Sequence, residues 1–276
     1  MLFTAYRQVL RFPQFRGRDR VAGAMRSMLR PAVSTVYKGL RMQLDPIEWA
    51  QCVLLREGIT ENSTIGLYEQ ILRPGDTYVD VGAHVGFHAL VARSLIGTTG
   101  HLIAIDPQPY NCDRILLNAG LNGFANISVV VAAIGPKDGL VALNNQIPQD
   151  KSKLSLSEHW PHEETQQQFT VAMCRLDTVT EHLPSISLLK VDVEAYEWEV
   201  LKGATATLAK TKNLIIELHP ESSSVSRSAN LLREIGFSLS DVHGRAWEPG
   251  EPCEGHNVWA RSSQSRVSQS TLGRRP

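Results

Sequence analysis

Residues Thr77–Leu90 read TYVDVGAHVGFHAL, an apolar run that breaks at two glycines and then resumes. Thr77 to Val81 alternates and is rich in β-branched residues, as a strand is. Phe87 to Ile96 (FHALVARSLI) has the spacing of a helix. Between them Gly82 and Gly86 allow a tight turn and a close backbone approach, at a cost in entropy that a chain spends only for a reason. A strand–turn–helix unit of this kind opens a doubly wound α/β domain, whose ligand crevice lies beyond the carboxyl ends of its strands.

Reading outward, the alternation repeats. HLIAID (101–106) is a strand and PYNCDRILLNAGLNG (109–123) a helix that ends on glycine. ISVVVAAIG (127–135), LLKVDV (188–193) and NLIIEL (213–218) read as further strands, followed by FSLSDV and NVWARSS. Near-continuous apolar strands between helices mean a mostly parallel sheet covered on both faces. The stretch from Ile134 to Ser187, with a polar insertion over 144–170, is too long for a simple crossover and is expected to add strands and a loop near the crevice.

The N-terminal part differs. Leu2, Tyr6, Val9 and Leu10 fall at helical spacing, as do Val21, Ala22, Met25, Met28 and Leu29, while VYKGLRMQLDP reads as a short hairpin. Residues 1–41 carry nine Arg or Lys and one acid, and residues 261–276 carry four Arg and no acid. Of the chain's 28 bases and 28 acids, 15 and 27 remain for residues 42–260. An acidic body between basic ends argues against a nucleic-acid groove across the main domain. The basic helices could pack on their own domain, present an amphipathic surface to lipid or a protein, or act as an organelle-targeting peptide. The chain is therefore expected to comprise a basic helical extension (1–45), a catalytic domain (46–262) and a disordered basic tail (263–276).

No apolar stretch reaches the roughly 18–20 residues that span a bilayer. Cys52, Cys112, Cys174 and Cys253 are scattered, without a C-x-x-C pair. These features point to a cytoplasmic protein with reduced thiols, peripheral to a membrane at most.

The G-A-H-V-G spacing departs from the G-x-G-x-x-G of dinucleotide-binding turns, and Asp80 would meet a pyrophosphate as one anion meets another. A cationic ligand suits Asp80 better, and the ammonium and sulfonium of S-adenosylmethionine (SAM) provide one. The loop residues Asp80, Gly82, Ala83, His84 and Gly86 are the expected cofactor cradle. Asp106, at the tip of the next strand, is placed to accept both ribose hydroxyls, and Ala132 and Ala133 leave room for a base. Alternation would turn Asp192 and Glu194 to one side with Lys190 if their strand ran that far, and Glu217 and His219 lie two apart at the end of the next. Asp192, Glu217 and His219 are the candidate catalytic residues. His219 is the expected base if no metal binds; Asp192, Glu194 and Glu217 are the expected ligands if a divalent cation such as Mg²⁺ does.

In order, DVGAHVGFHAL, IDP, LNGFANISVVVAAIG, RLDTV, LLKVDVEAYEWEVLKGA and IIELHPE resemble the FkbM-type family of SAM-dependent methyltransferases, over roughly Asp76 to Glu221. The resemblance implies a class I methyltransferase fold, with a seven-stranded sheet whose last strand is antiparallel. It also implies methyl transfer to a hydroxyl of a sugar, glycan, lipid, polyketide or similar small molecule. This chain departs from the family at His84, commonly Asn, at Asp106, commonly Glu, and at Ala195, usually Gly. The competing expectations are a NAD-dependent oxidoreductase on a similar sheet and a non-catalytic adaptor that keeps the fold.

Overall fold

The computed structural model describes residues 31–46, 48–145, 154–155, 167–219 and 224–263, together with scattered positions before residue 31. Among the described residues thirteen strands follow in chain order: β1 (Ala32–Thr35), β2 (Arg41–Leu44), β3 (Thr77–Val81), β4 (His101–Asp106), β5 (Ile127–Val131), β6 (Ala133–Ile134), β7 (Gly139–Asn145), β8 (Leu154–Ser155), β9 (Gln167–Cys174), β10 (Ile186–Val191), β11 (Thr211–Glu217), β12 (Phe237–Asp241) and β13 (Asn257–Ser262). Seven of them form the main sheet in the order β12-β13-β11-β10-β3-β4-β5. From β11 through β5 every neighbouring pair is parallel, and β13 runs antiparallel to both β11 and β12. The order reverses between β3 and β10, which is where such a sheet opens a crevice. This is the class I methyltransferase topology expected from the sequence.

Alternation along the strands feeds two cores. Tyr78 on β3, Leu188 on β10 and Ile215 on β11 pack with Leu90 and Ile96 of the helix Phe87–Ile96. Val79, Val81, Leu189, Val191, Leu214 and Ile216 pack on the opposite face. Asp80 and Lys190, register partners on neighbouring strands, therefore share the face of Tyr78 and Leu188.

The hairpin forms between β1 and β2, four residues earlier than its sequence signal begins, with its turn at Lys38 (φ 47°) and Gly39 (φ 85°). Met42 and Leu44 are fully buried in the same core as Tyr78 and Leu90. Among the described N-terminal positions, Tyr6 is buried against Val9, Met25 and Cys52, and its hydroxyl lies 3.5 Å from the Cys52 sulfur. The described part of the extension thus docks on the helix Trp49–Glu57.

Two strand assignments need correction. ISVVVAAIG is not one strand: β5 ends at Val131, and β6 joins a separate sheet of order β6-β9-β7-β8. Similarly, β10 stops at Val191, because Glu194 (φ 52°) and Ala195 (φ 70°) turn left-handed. Alternation therefore cannot align Glu194 with Asp192. The expected strands of the insertion exist as β7, β8 and β9, while residues 146–153 and 156–166 lie outside the described residues, as does the tail from 264.

Candidate active site

A cavity of about 280 Å³ opens at the carboxyl ends of β3, β4 and β10. Its wall includes Asp80, Gly82, Ala83, His84, Asp106, Ala132 and Ala133 of the expected cofactor set, together with Lys190, Asp192 and Glu194. Gly86, Glu217 and His219 do not line it. Ile134 and Leu143 place the base of the β6–β7 unit against the same space.

The glycine loop is tied to β4. The amides of Gly82 and Ala83 donate to the Ile105 carbonyl at 2.9 and 3.0 Å, and that of Gly86 donates to the Ala83 carbonyl at 2.9 Å. The amide of His84 donates to Asp106 Oδ2 at 2.9 Å. Three of these four donors are spent on β4 and one within the turn, so none of the four is left to cradle an anion. Gly82 is obligatory for a second reason: a Cβ there would lie 1.7 Å from the Asp192 backbone oxygen. His84 adopts φ 50°, a left-handed conformation in which Asn and His are over-represented. That accounts for the family's Asn and for the tolerance of His. The His84 ring pairs with Glu48, which is buried beside it. Burial opposes the imidazolium, but Glu48, Asp106 and Asp192 overcome it and hold the ring's pKa above the ordinary value.

Asp106, at the tip of β4, is buried, at 5% exposure. Besides His84, it accepts from the Gln108 amide at 2.8 Å and from Asn111 Nδ2 at 2.9 Å. Burial, only partly offset by these donors, raises its pKa to about 6. Two carboxylate oxygens offer about four acceptor positions, so capacity for a ligand hydroxyl remains. Asp80 is fully buried, and neither of its oxygens has a hydrogen-bond partner. Burial raises its pKa, against the pull of Lys190. An orphaned carboxyl group on the wall of a cavity fits a ligand that brings a cation or a donor, as SAM does.

On the other side, Lys190 is 2% exposed and its Nζ lies 2.6 Å from Asp192 Oδ2. Burial would lower the lysine's pKa, but Asp192, Glu61, Tyr68 and Asp80 together raise it, so it is a fixed cation and not a base. Burial likewise opposes ionisation of Asp192, and Lys190 overrides it and holds Asp192 below the usual carboxylate range. Glu217, behind Asp192, is driven well above that range by burial and by Asp192, to which it is hydrogen-bonded. One member of the pair is thus charged and the other neutral.

His219 sits beyond the end of β11, 3.6 Å from Glu217 Oε1 and with its ring 5.5 Å from that of His256. It is not among the residues that line the cavity. Among the described residues, no group of three or more His, Cys, Asp or Glu side chains is placed to hold a metal ion.

The sequence reading missed three residues. Glu61 and His88 line the cavity and pair at 3.1 Å, and Glu197 accepts the Ala195 amide at 3.1 Å, fixing the left-handed turn after Asp192. Burial raises the Glu197 pKa to about 7.

The strand order, the glycine turn and a cavity at the switch point define a Rossmann-like methyltransferase of class I. The methyltransferase FkbM domain model matches residues 80–239, more than half of the chain, and the chain belongs to this family of SAM-dependent methyltransferases. It is 27% identical over 200 residues to the hexuronic acid methyltransferase AglP of Haloferax volcanii, covering 71% of this chain and 77% of that protein. It is 25% identical over 195 residues to methyltransferase 1 of Beauveria bassiana, covering 64% and 78%. Among solved structures, the precorrin-6y C5,15-methyltransferase of Geobacter metallireducens overlaps 74% of this chain and 88% of its own, at 12% identity and a TM-score of 0.45. Family membership sets aside the NAD-dependent oxidoreductase. Among the described residues no helix is long and apolar enough to cross a membrane.

Proposed function

We propose that this protein is an O-methyltransferase that methylates a hydroxyl of a sugar or similarly hydroxylated small molecule, and that Asp192 accepts the hydroxyl's proton. SAM, when bound, supplies an electrophilic methyl group. An alcohol is a weak nucleophile at neutral pH and needs a proton acceptor at the reacting oxygen. The observation that carries the reading is Asp192 itself: it lines the cavity and is fixed by the buried Lys190 ammonium at 2.6 Å, which favours its carboxylate form. Glu217 acts through Asp192, as a neutral hydrogen-bond donor that limits its movement. The relation to a hexuronic acid methyltransferase supports a sugar as acceptor.

The cofactor would lie over β3, β4 and β5. Asp80 would face its charged end, with Gly82, Ala83, His84 and Gly86 shaping the turn, Asp106 would accept one ribose hydroxyl at its remaining acceptor position, and Ala132 and Ala133 would border the base. The chain is proposed to work in the cytoplasm, with its basic N-terminus as a contact for a membrane or a protein.

The test uses a panel of methyl pyranosides, including glucuronide and galacturonide, with release of S-adenosylhomocysteine as the readout and calorimetry for SAM. Asp192→Asn is expected to lower turnover by roughly 10²-fold or more while SAM affinity stays within a few-fold. His219→Ala should leave turnover within a few-fold, because His219 is not among the residues that line the cavity. Full turnover by Asp192→Asn would remove the assignment of the base. A wild type that binds SAM but methylates no member of the panel would remove the acceptor class.

A further inference from the structure

The cavity has an end that the cofactor assignment does not use. Asp106, Ala132 and Ala133 belong to the side of β4 and β5. Glu61 comes in over the opposite side. Its Oε2 accepts from Asn257 Nδ2 at 2.9 Å, and Asn257 on β13 is the register partner of Glu217 on β11. Its Oε1 pairs with His88 Nε2 at 3.1 Å. Glu61 occupies the N-cap position of the helix Asn62–Ile71, yet its side chain makes no capping hydrogen bond. Its backbone is left-handed (φ 50°, ψ 53°), a conformation rare for residues other than glycine. The chain thus holds this residue in an unfavourable conformation, and its carboxylate serves the cavity and not its own helix.

Two fixed donors, one to each oxygen, orient the carboxylate and leave further lone pairs for a ligand. Burial opposes its charge, but His88, Lys190 and Asn257 prevail and hold its carboxyl well below the usual carboxylate range. Glu61 and Asp192 both act electrostatically on the single Lys190 ammonium. An end with this excess of carboxyl groups accepts hydrogen bonds from neutral hydroxyls and disfavours an anionic nucleophile.

We infer that Glu61 is an acceptor-binding residue that sets which hydroxyl is methylated: its carboxylate receives the hydroxyl adjacent to the one whose proton Asp192 takes. The inference rests on the O-methyltransferase reading above and adds a vicinal diol as the recognised unit. Glu61 precedes the residues 80–239 that define the family, so the discrimination comes from the segment this chain places in front of its sheet.

Full-length wild type, Glu61→Gln and Glu61→Asp are compared on the methyl pyranoside the wild type methylates fastest, and on its deoxy analogues. Glu61→Gln should raise KM for the sugar about tenfold or more. It should also spread methylation over more than one position by mass-spectrometric mapping, with SAM affinity within a few-fold of wild type. Glu61→Asp, which keeps the charge but withdraws it by one methylene, should fall between. A deoxy sugar lacking the neighbouring hydroxyl should show the same KM with wild type and with Glu61→Gln. Should Glu61→Gln not fold, Asn257→Ala, which frees one carboxylate oxygen, must raise the same KM. A loss of SAM affinity that parallels the KM change would make Glu61 a cofactor ligand and overturn the inference. Unchanged KM with a single methylated position would also overturn it, and the O-methyltransferase reading would stand. A wild type inactive on every sugar would overturn both.

Discussion

The two ends of the cavity are built differently. The end over β3, β4 and β5 is assembled from strand tips and the turns that follow them, with His84, Gln108 and Asn111 each bonded to Asp106 across at most 22 residues of sequence. The end over β10, β11 and β13 brings together Glu61, His88, Lys190, Asp192 and Asn257, with Glu61 and Asn257 separated by 196 residues. The first end is a device of local chain geometry, common to the fold. The second exists only once the whole sheet has closed, and it is where a chain can change its acceptor without disturbing its cofactor.

Gly82 joins the two ends, and its replacement should have the largest effect. A Cβ at this position would lie 1.7 Å from the Asp192 carbonyl oxygen, in a backbone at φ +85°. The obstacle is backbone, and it cannot rotate away. The Asp192 amide donates to the Val81 carbonyl at 3.0 Å, so moving Asp192 also disrupts the β3–β10 junction. Gly82→Ala is expected to cost about 3 kcal/mol or more in urea denaturation and to abolish SAM binding. Gly86→Ala, where the nearest atom is the Ile115 side chain at 3.0 Å, should cost less, about 1–2 kcal/mol. Equal losses in the two variants would mean that the contact with Asp192 does not couple the ends.

Asp106 separates the ends by pH. Its folded pKa, raised by burial to about 6, lies above the unfolded value of about 3.9. Between those values the native protein binds more protons than the unfolded chain, so this group's contribution to stability falls as pH rises from about 4 to about 6 and then levels. Ligand binding runs in the opposite direction. The ribose hydroxyl needs the ionised carboxylate, so SAM affinity should fall by about tenfold per pH unit below about pH 6 and be flat above pH 7. Asp106→Asn should bind SAM more weakly at neutral pH and lose this dependence. Calorimetry across pH 4.5–8 checks both, and a wild-type profile identical to that of the variant would remove Asp106 from the cofactor site. Asp106→Ala is a poorer probe, because it would strand the donors on His84, Gln108 and Asn111.

The contrast between the ends also explains what could be read in advance. Asp80, Gly82 and Asp106 announce themselves because a strand, a glycine turn and a strand tip are short-range patterns, each visible within ten residues. Lys190 and Asp192 share a side as alternation requires, and the structure pairs them. Glu194 escaped the same rule because alternation ends where the backbone turns left-handed, and nothing in VEAYE marks that turn except the alanine where glycine is usual. His219 looked like a base from its distance to Glu217 along the chain, but β11 ends at Glu217 and the ring goes with His256. Glu61 carried only the signal of an acid before a helix, which ordinarily complements the helix dipole. Its partners come from helix Phe87–Ile96 and β13, and such long-range convergence leaves no periodic trace in one sequence.

Ala195 offers the smallest effect and the finest test of how the acceptor end is held. Its φ of 70° is left-handed, which costs an L-residue roughly 1–2 kcal/mol, and the Glu197 carboxyl group secures the turn by accepting its amide at 3.1 Å. Glycine removes the steric cost but adds about 0.5–1 kcal/mol of backbone entropy to be lost on folding. Ala195→Gly should therefore stabilise the protein by at most about 1 kcal/mol, a rise in Tm of about 2–4 °C for a domain of this size. SAM affinity should not move, because the turn follows Asp192 on the far side of Gly82 from the nucleoside end. If the alanine methyl instead shapes the acceptor end, the variant will gain stability and lose discrimination among the methyl pyranosides, with KM values drawing together. A fall in Tm would show that the methyl's packing outweighs the strain, and Ala195 would then be a stabilising departure from the family and not a tolerated one.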